Sequence, residues 1–280
     1  MIKLFTLGRN SYKRKNNKMI SQKSTKIKVR MGFNNSDALY VMYTVPSHHM
    51  LRRNFRLENG VECKGRKSYS STQMEESNSK VLVHLWCCPR TCSTATIYSF
   101  SRRHDCHVVD EPLYAHFLTE NPQLFRPYRE ELLASMECDG NEVMRGLEKL
   151  SDKRVIVVKH MTKFVVNLDK RLFMKANTAD GGRLVKHVFL IRDPLDMVLS
   201  WGAKNHIHHE GCTLSATSFP DILQMYSELE SNNLNPIIVD SNLLRSYPKE
   251  VLIELCSRLD LPFMEEQLSW PAGPKPDIDG

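Results

Sequence analysis

Residues 81–94, Val-Leu-Val-His-Leu-Trp-Cys-Cys-Pro-Arg-Thr-Cys-Ser-Thr, constrain the fold more than any other stretch of this 280-residue chain. Val81 to Trp86 is a short, mostly apolar run with strand character, and the chain from Ser93 to Phe100 has helical character. The tight turn between them aims the free N–H groups of the helix's first turn at one point, where an anion is stabilised. Arg90 adds a permanent positive charge, and Ser93 and Thr94 add hydroxyl donors. The stretch reads as an oxyanion-binding loop for a phosphate or phosphosulfate group. A plain strand-to-helix turn, capped by Ser93 or Thr94 with Arg90 solvated, accounts for the same residues. The pattern G-x-x-x-x-G-K-[ST] is absent, which disfavours magnesium-assisted nucleoside triphosphate hydrolysis.

Beyond this loop the chain alternates strand-like with helix-like segments. Strands are predicted at 107–112, 155–158, 187–191 and 236–240, and helices at 128–136, 141–150, 219–229 and 248–259. Asp193 with Pro194 is the expected N-cap of a helix that carries Asp196 to Trp201. Such alternation predicts an α/β fold with three layers, a mostly parallel five-stranded sheet covered on both faces. Ligands of such sheets gather at the carboxyl ends of the strands. Arg90, Asp110, Glu111, Lys159, His160 and Arg192 all fall just after the apolar part of a strand.

Charge is unevenly placed. Residues 1–56 hold thirteen Lys/Arg and one acid, Asp37, for a net of +12, while the other 224 residues hold 26 basic and 31 acidic side chains, a net of −5. The body is mildly acidic, which argues against a nucleic-acid-binding core. Residues 1–80, rich in Lys, Asn and Ser, are expected to be a disordered basic arm and linker, followed by one domain over 81–280. The eight cysteines have no framework spacing, and no apolar run approaches the roughly 18 residues that span a bilayer. A soluble cytoplasmic protein is expected, or one directed to a plastid or mitochondrion if residues 1–56 act as a transit peptide. The His104–His107 and His206–Cys212 clusters lack the paired spacing of a structural zinc site, so no metal is expected.

Two stretches together carry a family resemblance: the Pro89-Arg90-Thr91-Cys92-Ser93-Thr94 loop, and Arg192 at a strand end followed eight residues later by Ser200. The pairing resembles the P-loop sulfotransferases. The stretches "PRTCSTATIYSF", "VVDEPLYA", "YREELLASMECDG", "LIRDPL" and "GPKPDIDG" are similar to the sulfotransferase-like domain of plant branched-chain aminotransferase-like proteins. The resemblance covers about residues 81–280. It implies a PAPS donor, with PAP as product, and an unidentified acceptor. In that family the first loop holds the 5′-phosphosulfate, which places it here on Pro89 to Thr94. An Arg…Ser pair grips the 3′-phosphate, which places it on Arg192 and Ser200. No PLP chemistry is carried onto this chain.

The catalytic base is expected to be His160, with Lys159 beside it, because an unperturbed imidazole titrates near neutrality. Glu111 or Asp110 is the second choice, serving if burial raises its pKa. Small-molecule sulfotransferases place a Lys and a His two residues apart, whereas Lys159 and His160 are adjacent and point to opposite faces if the strand persists. Cys92 stands where the family's loop commonly has glycine, and Gly273-Pro274-Lys275 is the nearest approach to the family's C-terminal clamp. These departures keep alternatives open: a non-catalytic nucleotide- or partner-binding module, or a truncated member of the aminotransferase-like fusion family.

Overall fold

The computed structural model describes residues 24–31, 39–46, 79–174, 183–205, 217–273 and 278. The chain divides into two units, Met1–Arg52 and Arg53–Gly280. The first contains two strands, β1 (Ser24–Met31) and β2 (Leu39–Pro46), paired antiparallel with Ile27 opposite Tyr43, Val29 opposite Val41 and Met31 opposite Leu39. Both strands lie within the stretch expected to be a disordered basic arm. The alternation Ile27, Val29, Met31 is present, but Lys26, Lys28 and Arg30 between them give the stretch the composition of a solvated arm. The disorder expected of the remaining arm residues falls outside the described residues.

The second unit is built on five strands: β3 (Val81–Cys87), β4 (Cys106–Asp110), β5 (Val155–Met161), β6 (Leu184–Ile191) and β7 (Ile237–Asp240). They are all parallel and lie in the order β4-β5-β3-β6-β7. The flanking helices are α1 (Ser93–Ser101), α2 (Tyr114–Glu120), α3 (Arg129–Ser135), α4 (Gly140–Gly146), α5 (Pro194–Asn205), α6 (Phe219–Ser231), α7 (Ser241–Ser246) and α8 (Pro248–Arg258). The α/β class, the number of sheet strands and their parallel pairing are those the sequence predicts.

β3 is central, and all seven of its residues are buried. Unbroken apolar runs suit such positions, because helices cover both faces of a parallel sheet. On one face His84 and Trp86 of β3 lie beside His160 of β5 and Phe189 of β6, with Phe173 edge-on against His84 and Trp86. Tyr226 of α6 closes that face against Phe189. Truncating a buried side chain such as Leu85 to alanine costs about 2–5 kcal/mol.

Strand order decides where a ligand can sit. The chain leaves β3 toward β4 on one side, and leaves β6 toward β7 on the other. The loops after adjacent β3 and β6 therefore diverge and open a crevice at their carboxyl ends, the usual ligand position of such sheets. Arg90 follows β3 and Arg192 follows β6. Among the described residues, no helix is long and apolar enough to cross a membrane, and no group of three or more His, Cys, Asp or Glu is arranged to hold a metal ion. The His206–Cys212 cluster lies outside the described residues. In the other cluster His104 is exposed, and Asp105 is held by the Arg103 guanidinium at 2.9 Å.

Candidate active site

The loop after β3 is held in an unusual backbone shape. Arg90 and Cys92 have φ of +67° and +63°, so the chain coils around the point that the first turn of α1 faces. The Thr91 side chain fixes the turn from inside, donating to the Cys88 carbonyl at 2.8 Å. Two later elements fix it from outside. Arg192 Nη1 donates to the Arg90 carbonyl at 2.8 Å, and Ser241 Oγ donates to the Thr91 carbonyl at 2.6 Å. The loop is thus clamped by the ends of β6 and β7.

Arg90 and Arg192 therefore lie at the same end of the sheet. Arg90 Nε donates to Ser200 Oγ at 3.1 Å, so Ser200 on α5 is also drawn to the loop. The Nη groups of Arg90 have no hydrogen-bond partner among the described residues, and the buried Nε of Arg192 has none either. An ion pair of Arg192 with Asp193 or Asp196 does not form. Asp193 accepts from the Leu195 N–H at 2.8 Å as the cap of α5, and Asp196 accepts from Asn242 at 3.0 Å.

These groups line a cavity of about 1090 Å³ that also reaches Glu111, Lys159, Met161 and Lys163. Lys159 Nζ sits 2.8 Å from Asp110 and 2.8 Å from Glu111. Consecutive strand residues point to opposite faces, so both carboxylates reach one ammonium only because Glu111, at φ +46°, leaves the strand. Burial pushes the Glu111 carboxyl above its ordinary range, and the Lys159 charge offsets this only in part. Burial alone would lower the Lys159 pKa. The opposing charges, that of Glu111 first and Asp110 with it, outweigh it and keep the ammonium firmly protonated.

His160 is not brought to this cavity. β5 persists to Met161, so Lys159 faces the crevice and His160 faces the opposite side of the sheet. Its Nε2 meets His84 Nδ1 at 2.9 Å, its ring stacks on Trp86 at 4.8 Å between centroids, and burial drives its pKa down to about 3. The cavity-facing residue two places beyond Lys159 is Met161, which carries no proton to exchange. Thr91 acts from behind the loop rather than in the cavity, while Pro89, Cys92, Ser93 and Thr94 line it. Trp86 is fully buried packing, and burial pushes the Cys87 thiol up to about 12, so neither joins the site.

Sequence patterns alone missed Ser241, Arg126, Tyr114 and Lys163. Ser241 directly follows the Ile237–Asp240 strand, so the same strand-end rule that found Arg192 points to it. Arg126 and Lys163 sit on connections whose path only the folded chain reveals.

A parallel sheet with an arginine- and hydroxyl-bearing strand-to-helix loop at its switch point defines an α/β protein of the P-loop-like kind. The sulfotransferase domain family matches residues 80–280, and the chain belongs to that family. It is 34% identical over 197 residues to branched-chain-amino-acid aminotransferase-like protein 2 of Arabidopsis thaliana, covering 70% of this chain and 33% of that protein. The chain thus spans about a third of the length of the curated relatives it matches. Among solved structures it is similar to a sulfotransferase from Alicyclobacillus acidocaldarius, with 12% identity, a TM-score of 0.48, and coverage of 69% of this chain and 86% of that one. It is also similar to the sulfotransferase domain from the curacin biosynthetic pathway, with 17% identity, a TM-score of 0.45, and coverage of 68% and 77%.

Proposed function

We propose that this domain transfers a sulfuryl group from PAPS to an acceptor hydroxyl or amine. The observation that carries the reading is the convergence of Arg90, Arg192 and Ser200 on one cavity that also holds the Asp110–Lys159–Glu111 cluster. The residues fit a doubly anionic nucleotide. The buried Arg192 Nε without a partner and the unused Arg90 Nη groups leave donors for phosphate oxygens, and the first turn of α1 adds backbone N–H groups.

PAPS, when bound, supplies an activated sulfuryl group on a phosphate leaving group. Arg90, Ser93 and Thr94 would hold the phosphosulfate, and Arg192 with Ser200 the 3′-phosphate. Glu111, fixed through Oε1 by Lys159, would take the acceptor's proton as the new oxygen–sulfur bond forms. Arg90 and the α1 N–H groups then hold the charge left on the phosphate as the old sulfur–oxygen bond breaks, which is mainly a positioning and electrostatic task. The raised pKa of Glu111 makes its carboxylate a stronger base than an exposed one.

A second reading, a nucleotide-binding module without turnover, is favoured by one observation: the imidazole of His160 is sealed in the core and Met161 takes the cavity face. Titration with PAP and with 5′-AMP tests the donor assignment for both readings. Arg192→Ala should weaken PAP by about 10- to 100-fold and 5′-AMP much less, the smaller loss reflecting the freed Arg90 carbonyl. Equal losses for the two nucleotides would refute the assignment, and PAP binding with no sulfated product across an acceptor screen would favour the module.

A further inference from the structure

A second cavity, of about 630 Å³, adjoins the first, and the two share Arg126 and Lys163 in their walls. The second has an apolar wall that includes Phe117, Leu168 and Met225 and a polar one that includes Asn121, Asn167 and Gln224. Lys163 comes from the single turn Thr162–Val165 that follows β5, and Arg126 from the connection between α2 and α3. Neither cation has a carboxylate partner among the described residues. Arg126 Nη1 donates to the neighbouring Phe125 carbonyl, its guanidinium also hydrogen-bonds the Tyr114 side chain, and Lys163 Nζ lies 5.8 Å over the Phe164 ring.

The other lysines that line the two cavities are matched by carboxylates, whereas Arg90 and Arg192 at the loop are not. Lys159 is matched by Asp110 and Glu111, and Lys170 by Glu228 at 2.5 Å. The acid that lines the second cavity, Asp221, acts on Lys163 through space without an ion-pair contact. Burial, and then the Arg126 charge, press against protonation of Lys163, and the Glu111 and Asp221 charges offset them only in part, so an incoming anion would relieve the pair. Phe125 and Tyr128, 84% and 76% exposed, leave apolar surface close to Arg126 in the chain.

We propose that Arg126 and Lys163 bind the anionic group of the acceptor, so that the substrate is a hydroxylated organic anion with an apolar body rather than a neutral alcohol or an amine. This rests on the transfer reading above. The anion sits on the wall common to both cavities, the hydroxyl reaches Glu111 in the first, and the apolar remainder packs on the apolar wall of the second. A charge-assisted contact to two cations discriminates a carboxylate from its amide by about tenfold or more.

The test is calorimetric titration of the full chain with 4-hydroxyphenylacetate and 2-hydroxyoctanoate, each against its primary amide, with and without saturating PAP. A carboxylate should bind at least about tenfold more tightly than its amide, and Lys163→Gln or Arg126→Gln should shrink that ratio toward one while leaving PAP affinity within about twofold. The inference falls if carboxylate and amide bind alike, if no carboxylate binds, or if the ratio survives both substitutions. It falls equally if Lys163→Gln weakens PAP as much as Arg192→Ala does, since the cations would then serve the nucleotide. If PAP itself fails to bind, the donor assignment is lost, yet the carboxylate preference and its dependence on Lys163 are still read in the nucleotide-free protein.

Discussion

At Glu111 a single backbone angle creates the chemistry. The φ of +46° turns its carboxylate onto the ammonium that Asp110 already holds, and burial raises its pKa. A base must be ionised to act, so kcat should rise with pH through an inflection above the ordinary carboxylate range. Glu111→Gln should lower kcat by about 10²- to 10⁴-fold and remove that inflection. A glutamine variant that keeps the wild-type pH profile would place the base elsewhere. Sequence patterns put both Glu111 and His160 at strand ends, but ranking them needed the length of β5. Because the strand runs on through Met161, parity sends the imidazole into the core and the lysine into the crevice.

At the scale of elements, the loop–α1 junction carries a local conflict. Cys92 caps α1 in the left-handed region, where a side chain costs roughly 1–2 kcal/mol and glycine nothing. Glycine's greater freedom when unfolded returns about 0.5–1 kcal/mol. Cys92→Gly should therefore raise stability by up to about 1 kcal/mol in urea unfolding, whereas Cys92→Ala should give no gain. Equal behaviour of the two variants would deny the strain. The sheet strands were legible because β-branched apolar runs bounded by polar residues have few alternatives. Helices α2 and α7, with seven and six residues, were not, since one or two turns show too little period to read. The start of α7 did carry a local signal, because Asp240 accepts from the Asn242 and Leu243 N–H groups.

Across the whole molecule, three histidines from adjacent strands share one buried face. His84, His160 and His187 come from β3, β5 and β6, and burial lowers the pKa of each, to about 3 for His160 and about 4 for His187. These folded-state values lie below the ordinary 6.5, so the neutral rings contribute fully above that pH and lose their contribution as pH falls below it. Between pH 7.5 and 5 each ring should cost about 2 kcal/mol of stability, a large share of the roughly 5–15 kcal/mol that holds a domain together. Urea midpoints at the two pH values check this, and His160→Leu should shrink the difference. An unchanged wild-type midpoint would mean that the rings are not held neutral.

By itself the order of residues determined the class of fold, the tight strand-to-helix loop and the family, because apolar periodicity, turn residues and strand-end charges are local properties that survive without neighbours. Tertiary structure alone decided which strand-end groups meet. The order β4-β5-β3-β6-β7 brings Arg90 beside Ser200, 110 residues away in the chain, withdraws His160 and joins two cavities at Arg126 and Lys163. Strand order and the exact end of a strand depend on packing between distant segments, and no local stretch of the chain encodes them.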